Sequence, residues 1–232
     1  YDTILCNGDF QIKEIEYNEK LKNLRKKKLI KTGFFYFDYL RKKISKLEHK
    51  NEILVAPSWN KNRLKFINED FEEIIVNLLR SGHKVRFRPH PETIKRSQNL
   101  MNFYDSNEIE NKIFNFEKNL IELINDSDLC ISRAGATSLA EISIMNKPFI
   151  TIPLPSAKDD HQTENAKFYE KEGCCWILNQ KNLNYEIITN LLKEIINDKS
   201  NYINKKNNLK KLNYKNSWND INQSLKKIIN EN

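Results

Sequence analysis

Two short stretches carry residue types suited to an anionic, hydroxyl-rich ligand. The first is SRAGATSLAE, Ser132 to Glu141, set between an apolar run and a helical period. A helix N-terminus offers free N–H groups and about half a positive charge, which suits a phosphate. Gly135 and Ala136 add little or no side chain, so a diphosphate could approach the backbone closely. Glu141 lies about one turn further on, where its carboxylate could accept two hydrogen bonds from a ribose diol. The same residues also suit an ordinary tight turn with a surface glutamate, and the residues alone leave both readings open.

The second stretch is PLPSAKDDHQTENA, Pro153 to Ala166. Asp159, Asp160, His161 and Gln162 gather four polar groups near a helix start. The acids could cap that helix. His161 and Gln162 could instead bond sugar hydroxyls, and Asn165 could hold the loop. A third feature, VRFRPHPE (Val85 to Glu92), puts Arg88 and His90 at a strand end. They suit a phosphate, or else a rigid proline-flanked turn. His49 and His83 read as solvated, and no histidine has an evident acidic partner, so no catalytic base is assigned. No metal-ligand spacing of Cys or His occurs, and none of the four cysteines sits in a C-x-x-C pair. They read as reduced, buried thiols.

Positioning these stretches requires strands that alternate with helices, the pattern of an α/β domain with a mainly parallel sheet. Strands are predicted over 3–6, 28–31, 53–56, 84–88, 128–132, 148–152 and 174–178, with a weaker one near 112–115. Helices are predicted over 10–23, 67–81, 92–102, 117–125, 136–145, 161–172, 184–197 and 200–230. Gly82 is expected to close the second of these helices. Residues 34–50 read as a basic, partly helical connection.

Charge is unevenly spread. The net charge is +8, yet residues 20–50 hold twelve Lys and Arg against two acids, and residues 199–232 hold eight against two. The remaining segments, including the central one, are mildly acidic. No apolar run approaches the ~18–20 residues of a membrane span, and no signal peptide is visible. The chain opens at Tyr1 on what reads as a strand, so a preceding segment is expected.

The stretch SDLCISRAGATSLAEISIMNKPFITIPLPSAKDDHQTENAKFYEKEGCC resembles the C-terminal half of the MurG-type UDP-N-acetylglucosamine transferases, which add GlcNAc to a lipid-linked muramoyl-pentapeptide. The likeness covers residues 118–232, and its R-x-G-A-x-x-x-x-E and D-x-Q-x-x-N-A elements are specific. It implies a GT-B fold, an inverting glycosyltransferase and a UDP-sugar donor, with no cofactor and no metal. Arg133, Gly135, Ala136, Thr137 and Ser138 would then line the diphosphate and nucleotide. Glu141 would bind the ribose, and His161 and Gln162 the donor sugar. The family often has Gln where His161 stands, and it opens this domain with a glycine-rich loop that ILVAPSWNKN (53–62) lacks. Residues 1–115, with NGDFQ, KTGFFYFDYL and VRFRPHPE, are similar to the CDP-glycerol glycerophosphotransferases and capsule polymer transferases, also GT-B proteins.

Together these imply a Rossmann-like parallel sheet with helices on both faces, the donor-binding half of a GT-B enzyme. Residues 1–47 would be a remnant of the N-terminal domain and a basic linker. Residues 48–198 would be the nucleotide-sugar-binding domain, and 199–232 a basic helical tail. The expected partners are a nucleotide-sugar, a lipid-linked acceptor and an anionic membrane at the cytoplasmic inner face. Nucleic acid is not expected, since no recognition signature accompanies the basic segments. A non-catalytic basic domain is the rival from another class.

Overall fold

The computed structural model describes residues 2–6, 9–32, 36, 39–40, 42, 52–56, 75, 78–80, 82–88, 120–155, 157, 160–214, 223, 226–227 and 230. The expected elements at 92–102 and 112–115, most of 34–50 and residues 67–74 lie outside this set. The chain divides into two compact units, residues 1–43 with 211–232, and residues 44–210.

In the first unit, strand β1 (Thr3–Cys6) pairs in parallel with strand β2 (Lys28–Lys31), Thr3 beside Lys28 and Cys6 beside Lys31. A parallel pair needs a crossover, and helix α1 (Asp9–Leu21) supplies it. The helix stops two residues before the predicted end. Asn23 turns left-handed (φ 48°), and the Leu24 N–H donates back to the Glu19 carbonyl at 2.8 Å.

Among the described residues, the second unit is built on five parallel strands. These are β3 (Glu52–Ala56), β4 (Lys84–Phe87), β5 (Leu129–Ser132), β6 (Phe149–Thr151) and β7 (Cys175–Ile177), in the order β4-β3-β5-β6-β7. Every residue of β5 and β6 is buried, as is the centre of β3. Continuous apolar runs such as Ile53-Leu54-Val55 are what a strand covered on both faces requires. One face packs Ile53, Val55, Val85, Phe87, Ile131 and Ile150 against Ile75, Leu78 and helix α5 (Tyr185–Asn197). Toward the other face lie helices α2 (Leu120–Asp126), α3 (Ala136–Ile144) and α4 (His161–Lys171). There Ile124 and Ile142 share a cavity wall with Leu54 and Cys130, and Tyr169 sets its ring edge-on to Phe149 at 5.4 Å. Burying each large apolar side chain contributes roughly 1.5–3 kcal/mol.

Gly82 and Gly173 end helical segments with φ of +79° and +67°, a left-handed turn that L side chains rarely adopt. At Gly173 an added Cβ would also meet Asn208 Nδ2 at 2.8 Å. Helix α6 (Lys199–Tyr214) starts one residue before the predicted helix, because Asp198 accepts from the Asn201 N–H at 3.0 Å and from the Ser200 hydroxyl at 2.7 Å. Among residues 215–230, which the same prediction covers, Gln223, Lys226, Lys227 and Asn230 are described, and they are helical. A short 3-10 turn, Gln180–Asn182, was not predicted. No helix among the described residues is long and apolar enough to cross a membrane.

The strand order places the site. After β4 at one edge, the chain returns to lay β5 on the opposite side of β3. Open α/β sheets bind ligands in the crevice outside the carboxyl ends of their strands at such a reversal. Here that point lies beyond Ala56 and Ser132, neighbours in the register.

Candidate functional site at the carboxyl edge of the sheet

The stretch Ser132–Glu141 occupies this crevice. Ser132 ends β5, and its carbonyl accepts from the Ile152 N–H at 2.9 Å. Gly135 is the N-cap of α3, in an extended conformation (φ −68°, ψ 133°) with no side-chain capping bond. The first-turn N–H groups of a helix have no partner within it. Ala136 and Thr137 are exposed there, while Gly135, Ser138 and Glu141 are half-buried. The backbone does not demand a glycine at 135. Among the described residues, a Cβ would meet nothing nearer than Ser138 Oγ at 3.8 Å. What glycine provides here is a bare, half-buried backbone at the helix start.

A cavity of about 140 Å³ lies beside this turn, its lining including Ala56, Arg88, Ser132, Arg133 and Ser138. Arg88 reaches it because its N–H donates to the Val55 carbonyl at 2.9 Å, extending the β4 ladder by one residue. Burial lowers the pKa of Arg88, and the neighbouring Glu141 carboxylate works against that. Two arginines thus line one cavity next to the positive end of a helix. His90 and Asp159 lie outside the described residues. A larger groove of about 630 Å³ opens at the opposite edge of the sheet. Its lining is mainly apolar, including Ile53, Leu129, Ile195 and Ile203. The smaller cavity, not the larger groove, has the chemistry for an anion.

Arg133 is buried, with 6% of its surface exposed. Its Nη1 donates to the Ile152 carbonyl at 3.1 Å and to Gln180 Oε1 at 2.6 Å. Burial pushes its pKa down to about 10. The side chain that reads as a ligand-binding cation therefore also ties β5 to the end of β6 and to the 3-10 turn.

The second polar stretch is stitched onto the first. Asn165 Nδ2, from α4, donates to the Ala134 carbonyl at 3.1 Å. Gln162 Oε1 accepts from the Leu154 N–H at 3.0 Å and so holds the loop after β6, leaving its amide NH₂ as the group able to face a ligand. His161 is exposed at the start of α4. Asp160 does not cap α4 through a backbone N–H. It stands in a left-handed conformation (φ 52°) and accepts from the Thr163 hydroxyl at 2.6 Å. Gln180 was not singled out from the sequence, being 47 residues from Arg133 and in no motif. Among the described residues, no three His, Cys, Asp or Glu side chains are grouped to hold a metal ion.

Comparison with known proteins agrees with this architecture. The glycosyltransferase family 28 C-terminal domain matches residues 90–223, more than half of the chain. The chain belongs to that family. A Pelagibacter ubique UDP-N-acetylglucosamine--N-acetylmuramyl-(pentapeptide) pyrophosphoryl-undecaprenol N-acetylglucosamine transferase is 39% identical over 165 residues, 70% of this chain and 46% of that protein. The Wolbachia enzyme of the same name is 30% identical over 165 residues, 71% of this chain and 47% of that protein. The chain thus spans about half the length of these curated relatives. Residues 118–232 could not supply 165 aligned positions, so the likeness reaches into the front part expected to resemble another family. Among solved structures, Acinetobacter baumannii MurG superposes with a TM-score of 0.52 at 19% identity, covering 79% of this chain and 52% of that one. Phytolacca americana UGT2, complexed with UDP-2fluoro-glucose and pterostilbene, gives 0.63 at 14% identity, covering 99% and 53%. At these identities the likeness is one of fold, that of GT-B glycosyltransferases.

Proposed function

We propose that this family 28 chain is the donor-binding half of an inverting UDP-N-acetylglucosamine transferase acting on a lipid-linked acceptor in peptidoglycan precursor synthesis. One observation carries the reading. Arg88 and Arg133 line a single cavity beside the uncapped start of α3, at the strand-order reversal. In this assignment the diphosphate lies over Gly135 and Ala136, within reach of Thr137 and Ser138. Glu141 takes the ribose hydroxyls, and His161 and the Gln162 amide face the sugar. During transfer the bond from the anomeric carbon to the diphosphate oxygen breaks, and negative charge grows on the departing UDP. Fixed N–H dipoles and guanidinium groups stabilise that charge without reorganising. The acceptor hydroxyl attacks from the opposite face, and no described residue is assigned as its base.

In the same proposal, residues 48–198 form the nucleotide-sugar domain and residues 1–47 the remnant of a partner domain with its linker. The basic segment 199–232 favours the anionic inner face of the plasma membrane, where a lipid-linked acceptor resides. A second reading, transfer of glycerol phosphate from CDP-glycerol, is favoured by Arg88 in VRFRPHPE, a cation lining the same cavity. Calorimetric titration with UDP-GlcNAc, UDP and CDP-glycerol decides between them. Saturable UDP binding supports the first reading and preferential CDP-glycerol binding the second. No binding at millimolar ligand removes both.

A further inference from the structure

Gln180 stands outside the cavity lining, on a turn that no motif marks, yet it makes the shorter of the two Arg133 hydrogen bonds described above. We propose that Gln180 is a positioning residue for the donor diphosphate, acting through Arg133 on the Gly135–Ala136 turn. The proposal rests on the nucleotide-sugar reading given above.

The support for Gln180 is itself rigid. Its 3-10 turn is closed by Asn179, whose side chain accepts from the Lys181 N–H at 2.9 Å, and by the Leu183 N–H, which donates to the Gln180 carbonyl at 3.3 Å. The Leu178 N–H donates to the Thr151 carbonyl at 3.0 Å, anchoring the start of this segment to the end of β6. From the other flank, Asn165 grips the Ala134 carbonyl at 3.1 Å. Side chains from two separate elements therefore hold the residues just before the helix start, Gln180 through Arg133 and Asn165 through Ala134. The directions of the N–H groups at 135–137 depend on both grips. A neutral amide oxygen also suits the task. It orients the guanidinium without itself adding a negative charge beside the cavity, whereas a carboxylate at 180 would add one.

The test uses the 232-residue chain and two probes, UDP and uridine, in titrations followed by ligand-observed NMR. Uridine lacks the diphosphate, so a general loosening of the domain weakens both probes, while a mispositioned turn weakens UDP alone. Gln180→Leu is expected to weaken UDP roughly tenfold, the scale of one lost charged hydrogen bond, and uridine less than about twofold. In an Arg133→Met background the same change is expected to have no further effect on UDP, because the two residues act as one. Equal losses for both probes would overturn the proposal, as would unchanged UDP affinity. If Arg133→Met does not fold, the two-probe ratio in Gln180→Leu alone decides. Failure of the unmodified chain to bind UDP would instead remove the nucleotide reading, and this proposal with it.

Discussion

Gly135→Ala separates a role in folding from a role in binding. Gly135 has φ −68° and ψ 133°, a conformation open to any residue, and among the described residues an added Cβ would meet only Ser138 Oγ, at 3.8 Å. No steric cost to folding follows. Exchanging Gly for Ala at a compatible position stabilises by about 0.4–1 kcal/mol, because the unfolded chain has less freedom to lose. Binding should respond the opposite way. If the diphosphate rests against this backbone, the methyl group takes its place, and forcing a contact of that kind costs about 1–3 kcal/mol. That corresponds to UDP binding weakened by roughly five- to 150-fold. Urea unfolding gives the stability, and calorimetry with UDP gives the affinity. Equal or higher stability with much weaker UDP binding is expected. Unchanged UDP affinity would refute the close approach at Gly135, and a loss of stability would refute the geometry assigned to the turn.

Other residues give independent checks. Glu141→Ala should weaken UDP by roughly 1–3 kcal/mol and erase the preference for UDP over 2′-deoxy-UDP; a preference that survives in the variant would remove the ribose role. Asn165→Ala takes the donor from the Ala134 carbonyl of a fully buried residue, so urea denaturation should show a loss of roughly 1–3 kcal/mol, and a loss below about 0.5 would mean the bond contributes little. All four cysteines are buried thiols, and burial pushes Cys130 and Cys175 up to about 12 and Cys174 up to about 11. The native chain should therefore resist alkylation at pH 8 and react at all four thiols once denatured. Because these folded-state values lie above the unfolded one near 9, their contribution to stability is full below that pH and is lost as pH rises toward 12. Unfolding free energies measured between pH 8 and 11 should show that contribution falling, and Cys130→Ala should reduce the slope.

The central strands were legible because each is a short apolar run covered on both faces, as Ile53-Leu54-Val55 and Cys130-Ile131 illustrate. The switch point was not, since strand order depends on a crossover that local periodicity does not encode. The turn at Gly135 and the helix after it were visible from small residues following a strand. What remained hidden were the long-range bonds. Arg133 was expected, by resemblance, to line the diphosphate, and nothing nearby in the sequence announces that Ile152 and Gln180 will also receive it. Gln162 reads as a sugar ligand, and only the fold shows its carbonyl oxygen already engaged by Leu154. Helix ends shifted for local reasons, at Asn23 through a left-handed residue and at Asp198 through a side-chain cap.

The central claim is that a nucleoside diphosphate sits at the start of α3. Backbone amide NMR of the 232-residue chain, titrated with UDP, tests it most directly. The account predicts saturable shifts concentrated at Gly135, Ala136, Thr137 and Ser138, with weaker ones at Glu141 and Gln162. Shifts confined to the apolar groove around Ile195 and Ile203, or none at millimolar UDP, would contradict it.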